Sequence, residues 1–326
     1  MDLSREVRLT SAEAAVFSLR SLYESCGYGR FKVNKFEEYD FYASCKSFLM
    51  SENVLTFTDS TGRLMALKPD ITLSIVKNVG ASGDGPQKVY YNESVFRDSG
   101  DGNGFREITQ TGLERVGEVD TAAVCEAVEL ACRSLEVLRA GKSAVLDLSH
   151  VGVVSAILDA EGVGEAARGA VASLMGDKNA GELMRAATGA GISAAGAEKL
   201  CRLATLYGAP GEVRDDLLTV CADVPGCAPA LEELYAVVAS LPDGLRRMLR
   251  FDFSAAGDMK YYTGAVFRGY IDGIPRSVLA GGRYGGLLPE YGAAHGGIGF
   301  AVYTDLLEYA GGGRGATLVF DDPEVK

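Results

Sequence analysis

Histidine is scarce in this chain of 326 residues: His150 and His295 are the only two, and they lie far apart. A zinc site or a serine–histidine–aspartate triad would have to use one of them. Each reads by itself as a surface or hydrogen-bonded residue, so metal and triad chemistry fit poorly, and no metal and no cofactor is expected. Paired cysteine is lacking too. Cys26, Cys45, Cys125, Cys132, Cys201, Cys221 and Cys227 are odd in number, scattered, and form no CxxC motif. Free thiols in a reducing cytoplasm suit that pattern better than a disulfide framework. No uninterrupted apolar run approaches the roughly 18–20 residues of a membrane helix. The opening MDLSREVRLTSAEAA also lacks the basic-then-apolar layout of a secretion signal. Positive charge is in deficit, with 32 Lys and Arg against 44 Asp and Glu for a formal charge of −12. That balance disfavours a nucleic-acid scaffold, while leaving room for a local basic groove. What is present is ordinary for a globular protein, 47% hydrophobic and 23% charged, and the length allows two domains or one core with a sizeable insertion.

Along the chain, Thr10-Ser-Ala-Glu13 reads as a capping box opening a helix that runs to Tyr23 and stops at the Gly27–Gly29 turn. Phe31–Phe36 reads as a strand. Val54–Thr58 and Arg63–Leu67 flank an Asp59–Gly62 turn and predict a hairpin. Gln87–Phe96 and Phe105–Val116 predict a second hairpin, with the Ser99–Gly104 loop at its tip. Thr121–Leu138 reads as a helix behind Asp120, and Ala144–Leu148 as a strand. From about Val151 to Leu249 the texture is Ala-rich and helical, with Leu231, Leu234, Tyr235, Val238 and Leu241 spaced as a buried face. Strand character returns at Tyr261–Tyr270 and Ser277–Leu279. Gly281–Gly286 reads as a glycine-rich turn, and Ile298–Tyr309 as a short strand entering a helix. The pattern predicts an α+β fold in which residues 1–150 and 250–326 form one core and 151–249 a helical insertion.

Four segments place polar residues where a ligand could sit. In Leu67-Lys-Pro-Asp-Ile-Thr72, Asp70 and Thr72 share a side if the backbone is extended; a loop with a capping Asp explains the segment as well. In Phe105–Glu114 alternation puts Arg106, Ile108, Gln110, Gly112 and Glu114 on one face. Gln110 and Glu114 could then hold a small polar ligand, with Gly112 leaving space between them, or that face could simply be solvated. Tyr261 and Tyr262 could wall a pocket. The glycines of Ala280–Leu287 and Gly297–Ala301 mean tight turns or close approach to a ligand, and they form neither a Walker loop nor GxGxxG.

In order, these segments resemble the catalytic domain of the histidyl-tRNA synthetases, class II aminoacyl-tRNA synthetases. LKPDIT is similar to that family's LRPEGT, and FR…FREITQTGLE to its motif 2, FR…FRQFHQLGxE. KYYTGAVF resembles RGLDYYTGTVFE, and AGGRYGGL…GIGFA resembles GGRYDGL…GFA. The likeness runs from about residue 10 to 310. It implies a class II synthetase-like antiparallel sheet flanked by helices. By the same likeness, Asp70, Thr72 and Gln110 hold the ammonium group of histidine, while Glu114 and Tyr262 face its imidazole and Tyr261 belongs to the same histidine-binding set.

The activation machinery departs from the family. Arg97 keeps the motif 2 arginine, a possible phosphate-binding remnant. The arginine opening RGLDYYTG falls on Gly257, its Asp on Lys260, the motif 3 arginine on Leu306, the motif 2 acid on Ser99 and the motif 1 proline on Asn34. Arg246, Arg247 or Arg250 are the candidates to replace the lost cations in space. The chain ends at Lys326 without the family's anticodon-binding domain. A kept histidine pocket with lost adenylation cations resembles the regulatory subunits of ATP phosphoribosyltransferase. The resemblance implies no catalytic residue and a cytoplasmic homodimer core joined to a short-form catalytic subunit. L-Histidine would be the feedback effector, with no tRNA and no membrane involved. The alternative is a truncated synthetase-like ligase that still activates an amino acid with ATP.

Overall fold

The capping box at Thr10 is formed in full: the Thr10 amide donates to Glu13 Oε2 at 2.8 Å and the Glu13 amide to Thr10 Oγ1 at 3.2 Å. It starts helix α1 (Ser11–Ser25), which buries Ala15, Leu19 and Tyr23 at four-residue spacing. The structure, a computed structural model, describes residues 6–45, 49, 53–79, 85–99, 104–254, 261–285, 296–310 and 317–319. Gly257, Lys260 and His295 lie outside the described residues, as do Gly286 and Leu287.

Strand β1 (Glu6–Arg8) precedes α1. After it come β2 (Gly29–Arg30), β3 (Phe36–Glu38), α2 (Tyr39–Ser44), β4 (Thr56–Thr58), β5 (Leu64–Leu67) and α3 (Ile71–Val79). The long hairpin is β6 (Gln87–Asp98) and β7 (Phe105–Val116), paired in unbroken register from Gln87↔Val116 to Asp98↔Phe105. Helix α4 (Thr121–Leu138), capped by Asp120 through a 2.8 Å bond from the Ala123 amide, leads to β8 (Ala144–His150). Helices α5 (Val151–Ala160), α6 (Glu165–Gly176), α7 (Ala180–Gly189) and α8 (Ala194–Thr205) follow. After the short β9 (Tyr207–Gly208) come α9 (Arg214–Cys221), α10 (Ala228–Ser240) and α11 (Asp243–Arg246). The chain then returns to the sheet as β10 (Leu249–Asp252), β11 (Tyr262–Ile271), β12 (Leu279–Tyr284) and β13 (Gly297–Tyr303). A 3₁₀ turn at Thr304–Ala310 and β14 (Thr317–Val319) follow, and β14 pairs with β1.

Nine of these strands make one sheet in the order β2-β6-β7-β13-β12-β11-β8-β10-β9. From β6 to β8 every pairing is antiparallel, whereas β2 joins β6 and β10 joins β8 in parallel. A three-stranded sheet, β3-β5-β4, stands apart.

Alternation along each strand gives the large sheet two different faces. Leu113, Leu148, Phe267, Leu279, Ile298 and Phe300 turn to the back, where α1, α4 and α5 cover them in the main core. Tyr91, Val95, Val116 and Tyr284 turn to the front, where α2, α3 and β5 form a second core with them. Between those covered positions the front face carries polar residues.

Two segments differ from the reading above, and a third takes one of its two alternatives. Phe31–Phe36 is not one strand: only Phe36 lies in β3, and Phe31 follows β6 through a single bond from its amide to the Tyr90 carbonyl at 2.8 Å. Of the two readings of Leu67–Thr72 the capping one holds, since Asp70 Oδ1 accepts the Leu73 amide at 3.0 Å and starts α3. The glycines at 281 and 282 do not make a turn; they lie within β12. On α10 the buried positions are Ala230, Glu233, Leu234 and Val237, while Leu231, Tyr235 and Val238 are partly covered.

Candidate functional site

Register places four positions of the front face side by side in each of two rows. One row runs Glu114, Gly299, Gly282, Val266 and the next Gly112, Ala301, Ala280, Arg268, across β7, β13, β12 and β11. Large polar residues therefore rise from β7 and β11, and glycine and alanine form the floor between them. The basin is a cavity of about 230 Å³. That is below the roughly 300–1,000 Å³ of drug-sized pockets and suits a ligand the size of one amino acid.

The floor has to be this small. A Cβ at Gly299 would collide with the Glu114 carboxylate, and one at Gly297 with the Tyr284 hydroxyl. Gly112, expected to leave space between Gln110 and Glu114, lies beneath the Tyr91 hydroxyl instead, so a Cβ there would strike that hydroxyl and the Phe300 carbonyl.

Glu114 is 3% exposed. Its Oε1 accepts from the Thr72 hydroxyl at 2.7 Å and its Oε2 from the Tyr284 hydroxyl at 2.9 Å. Burial pushes its pKa from 4.5 up to about 8, although both hydroxyls pull downward and Asp70 adds to the rise. Burial also raises Asp70, against the pull of the Arg97 guanidinium and the amides of α3. Burial thus disfavours the ionised form of both acids, and a cationic or N–H-donating guest would favour it.

Asp70 is held in place from behind. Lys68, wholly buried, donates to Glu93 at 3.2 Å, tying the loop before α3 to β6. Arg97 donates through Nε to the Pro69 carbonyl at 2.9 Å and lies 3.7 Å from Asp70 Oδ2.

All the residues picked out from sequence, Asp70, Thr72, Gln110, Glu114, Tyr261, Tyr262 and Arg97, line this one cavity. Thr72 is engaged with Glu114, which joins the residues expected around the ammonium group to those expected around the ring. Tyr261 stands edge-on to Tyr262 at 4.9 Å and tilted to Tyr284 at 6.0 Å. Sequence reasoning missed Tyr91, Arg268, Ser277, Tyr284 and Tyr303, which also line it. The parity of 266 and 268 along β11 was the available signal for Arg268, and that of 280, 282 and 284 along β12 for Tyr284.

An adjoining cavity of about 630 Å³ shares Arg97, Ser277 and Tyr303 with the first. Its lining carries Arg97, Arg106 and Arg276 against Asp98, Glu107 and Asp305, so its charges balance. Ser99 and Leu306, the positions where an acid and an arginine were expected, line it as well. Arg247 and Arg250 lie around a different depression with Glu136 and Met248. Arg246 is tied to the Val238 and Leu241 carbonyls and to Asp243. None of these three arginines lines either cavity, so they do not replace the lost cations.

His150 is the hydrogen-bonded residue expected of it. Its Nδ1 accepts the Gly152 amide at 2.9 Å, which leaves Nε2 to donate to Glu233 at 3.0 Å. Arg283 of β12 donates to the other Glu233 oxygen at 3.2 Å. Among the described residues no group of three or more His, Cys, Asp and Glu could hold a metal ion, and no helix is long and apolar enough to cross a membrane.

A mixed sheet backed by helices, with an amino-acid-sized pocket on its open face, defines a class II synthetase-like domain. The histidyl-tRNA synthetase family model matches residues 5–307, and the chain belongs to that family. Among curated relatives, the ATP phosphoribosyltransferase regulatory subunit of Caldanaerobacter subterraneus subsp. tengcongensis is 28% identical over 298 residues, covering 89% of this chain and 76% of the relative. The protein of the same name from Bacillus mycoides is 26% identical over 303 residues, 91% and 71% of the two chains. Among solved structures, an ATP phosphoribosyltransferase regulatory subunit/histidyl-tRNA synthetase from Bacillus halodurans superposes with a TM-score of 0.81 at 24% identity, over 93% of this chain and 80% of that one. A chain of the ATP phosphoribosyl transferase (HisG:HisZ) complex from Thermotoga maritima gives 0.68 at 22% identity, over 89% and 96%.

Proposed function

We propose that this chain is the regulatory subunit of ATP phosphoribosyltransferase, the enzyme of the first step of histidine biosynthesis. It binds L-histidine in the Glu114 pocket and assembles with a short-form catalytic subunit, which it activates. The partner joins ATP to phosphoribosyl pyrophosphate and releases pyrophosphate. The observation that carries the reading is the contrast between two adjoining cavities. One is a small pocket with two buried acids and two tyrosines, suited to an ammonium group and a ring N–H. The other is charge-balanced and has Leu306 where adenylate formation would need a cation. The shared name of the curated relatives supports the same reading.

In this reading Asp70, Thr72 and Gln110 hold the ammonium group, and Glu114 with Tyr262 reads the imidazole, Tyr261 packing behind. Feedback inhibition requires histidine to bind the inhibited assembly more tightly than the active one. Residues 1–150 and 250–326 form one core, with 151–249 as an insertion. Phe36 and Phe57, half exposed and stacked edge-on at 5.7 Å on the small sheet, support a homodimer contact there. The protein works in the cytoplasm without tRNA.

The competing reading is a ligase that activates an amino acid with ATP. Histidine-dependent exchange of pyrophosphate into ATP separates the two. The regulatory reading predicts no exchange above background together with calorimetric binding of L-histidine; exchange at enzymatic rates overturns it.

A further inference from the structure

Several surface arginines of this chain are held by acids: Arg63 by Glu38, Arg133 by Glu129, Arg202 by Asp216. One group is not. Arg139, Arg247 and Arg250 line a single depression of about 460 Å³, outside both cavities described above. None of the three has an acid within ion-pair distance among the described residues, and Glu136, the one acid of the lining, is bound to none of them. The lining thus carries three positive charges against one negative, in a chain whose formal charge is −12.

We propose that this depression is an anion site that binds a phosphate group, either inorganic or carried by a small metabolite such as a nucleotide or a sugar phosphate. It shares no residue with the Glu114 pocket and does not depend on what that pocket binds.

Topology builds the site. Strand β10 joins β8 in parallel, so the two strands enter the sheet at the same end. The turn from α4 into β8 brings Arg139 and Ser143 there, and the turn from α11 into β10 brings Arg247 and Met248. The three guanidinium groups are not equally occupied. Arg250 donates through Nη1 to the Arg247 and Leu249 carbonyls at 2.9 and 2.7 Å, and Asp147, its neighbour on β8, attracts it. Arg139 has one long bond, 3.4 Å to the Lys142 carbonyl. Arg247 is exposed, and its guanidinium has no partner among the described residues. Arg139 and Arg247 are therefore the groups with N–H donors to spare, and Arg250 adds charge behind them.

Phosphate suits such a pair, because its oxygens accept parallel bonds from the planar fork of an arginine. The volume falls within the roughly 300–1,000 Å³ of small-molecule sites, and Ala144, Val145 and Met248 give the depression an apolar wall that a ribose or a base can cover. The rival account gives each arginine a local duty: Arg139 follows α4 and Arg247 follows α11, where each complements the negative end of a helix. Arg246 shows what that duty looks like, since it donates to the Val238 and Leu241 carbonyls at the end of α10. Arg247 makes no such bond.

The test is calorimetric titration of the full chain with inorganic pyrophosphate, AMP and ribose 5-phosphate, in about 0.15 M salt so that diffuse attraction is screened. The expected result is saturable binding of at least one probe, weakened about ten- to a hundredfold by Arg139→Gln and by Arg247→Gln. Arg133→Gln, which removes a surface charge outside the depression, should leave it within about twofold. Thermal melts of the three variants should match the unaltered chain, which separates lost binding from lost folding. Tightest binding of pyrophosphate assigns the site to an inorganic anion, whereas tighter AMP or ribose 5-phosphate assigns it to a nucleotide or a sugar phosphate. No saturable binding of any probe overturns the proposal and leaves the arginines to the helix ends or to an acidic protein surface. Binding that ignores Arg139→Gln and Arg247→Gln also overturns it, as does equal weakening by Arg133→Gln, which would be an effect of net charge alone.

Discussion

The Tyr284 hydroxyl donates to Glu114 at 2.9 Å across a floor made of glycine, so the ring of Tyr284 lies over Gly297 and the carboxylate of Glu114 over Gly299. Four residues from three strands thus make one device: two glycines flatten the floor, and a tyrosine fixes the acid that faces the cavity. Thr72 fixes the other oxygen from α3. The carboxylate is oriented before any ligand arrives, which spares the ordering cost on binding.

Replacing Glu114 by Gln keeps the shape and removes the acid. L-Histidine affinity should fall about ten- to a hundredfold, the range for losing a charge-assisted bond. Tyr284→Phe leaves the acid in place but frees one oxygen, and should cost less. Calorimetry with the two variants side by side checks the order.

Glu114 also sets a pH dependence. Its folded value of about 8 lies above the ordinary 4.5, so between those values the folded chain holds a proton that the unfolded chain has released. The stability this contributes is whole below about pH 4.5 and disappears as pH rises through about 8. Asp147, pushed up to about 6 by burial and by Asp252, acts in the same direction over a lower range. The melting temperature of the ligand-free protein should therefore fall between pH 5 and pH 8.5, and Glu114→Gln should flatten that fall. An unchanged slope in the variant would contradict the assignment.

A ligand that donates to ionised Glu114 must also displace its proton. Binding at pH 7 should release a fraction of a proton, visible as an enthalpy that changes between phosphate and Tris buffers. Glu114→Gln should remove that difference.

Gly299→Ala places a methyl group against the Glu114 carboxylate and the Leu113 carbonyl. Loss of binding should come with a destabilisation of about 1–3 kcal/mol, the usual result of overpacking. Thermal melts with and without L-histidine report both.

Lys68 and Glu93 secure the loop that carries Asp70. Lys68→Met leaves the Glu93 carboxylate without its cation at a site 14% exposed, with only the Val33 amide still donating to it, and should cost up to about 3–5 kcal/mol. Adding Glu93→Leu should restore much of the stability, which chemical denaturation can measure.

Much of this was legible in the chain. The β6–β7 hairpin follows from two β-rich runs around a Gly/Asp loop, and period-two alternation put Gln110 and Glu114 on one face. The glycines of 281 and 282 misled because glycine is a poor strand former; what makes them a strand is the pairing of β12 with β11 and β13, a long-range fact. Asp70 lies in a capping position rather than on a strand, since its side chain satisfies an amide at the start of α3 while its other oxygen faces Arg97. Arg268 and Tyr284 depend on register across four strands, which no local pattern encodes.

The central claim is that this pocket carries feedback from histidine to a catalytic partner. The direct measurement is the initial rate of phosphoribosyl transfer by a short-form catalytic subunit, with saturating amounts of this chain, across a titration of L-histidine. The account predicts that the chain raises the rate, that L-histidine lowers it again, and that Glu114→Gln keeps the activation while shifting the inhibition to about ten- to a hundredfold higher histidine. A rate that ignores the chain, or that ignores histidine in its presence, would contradict it.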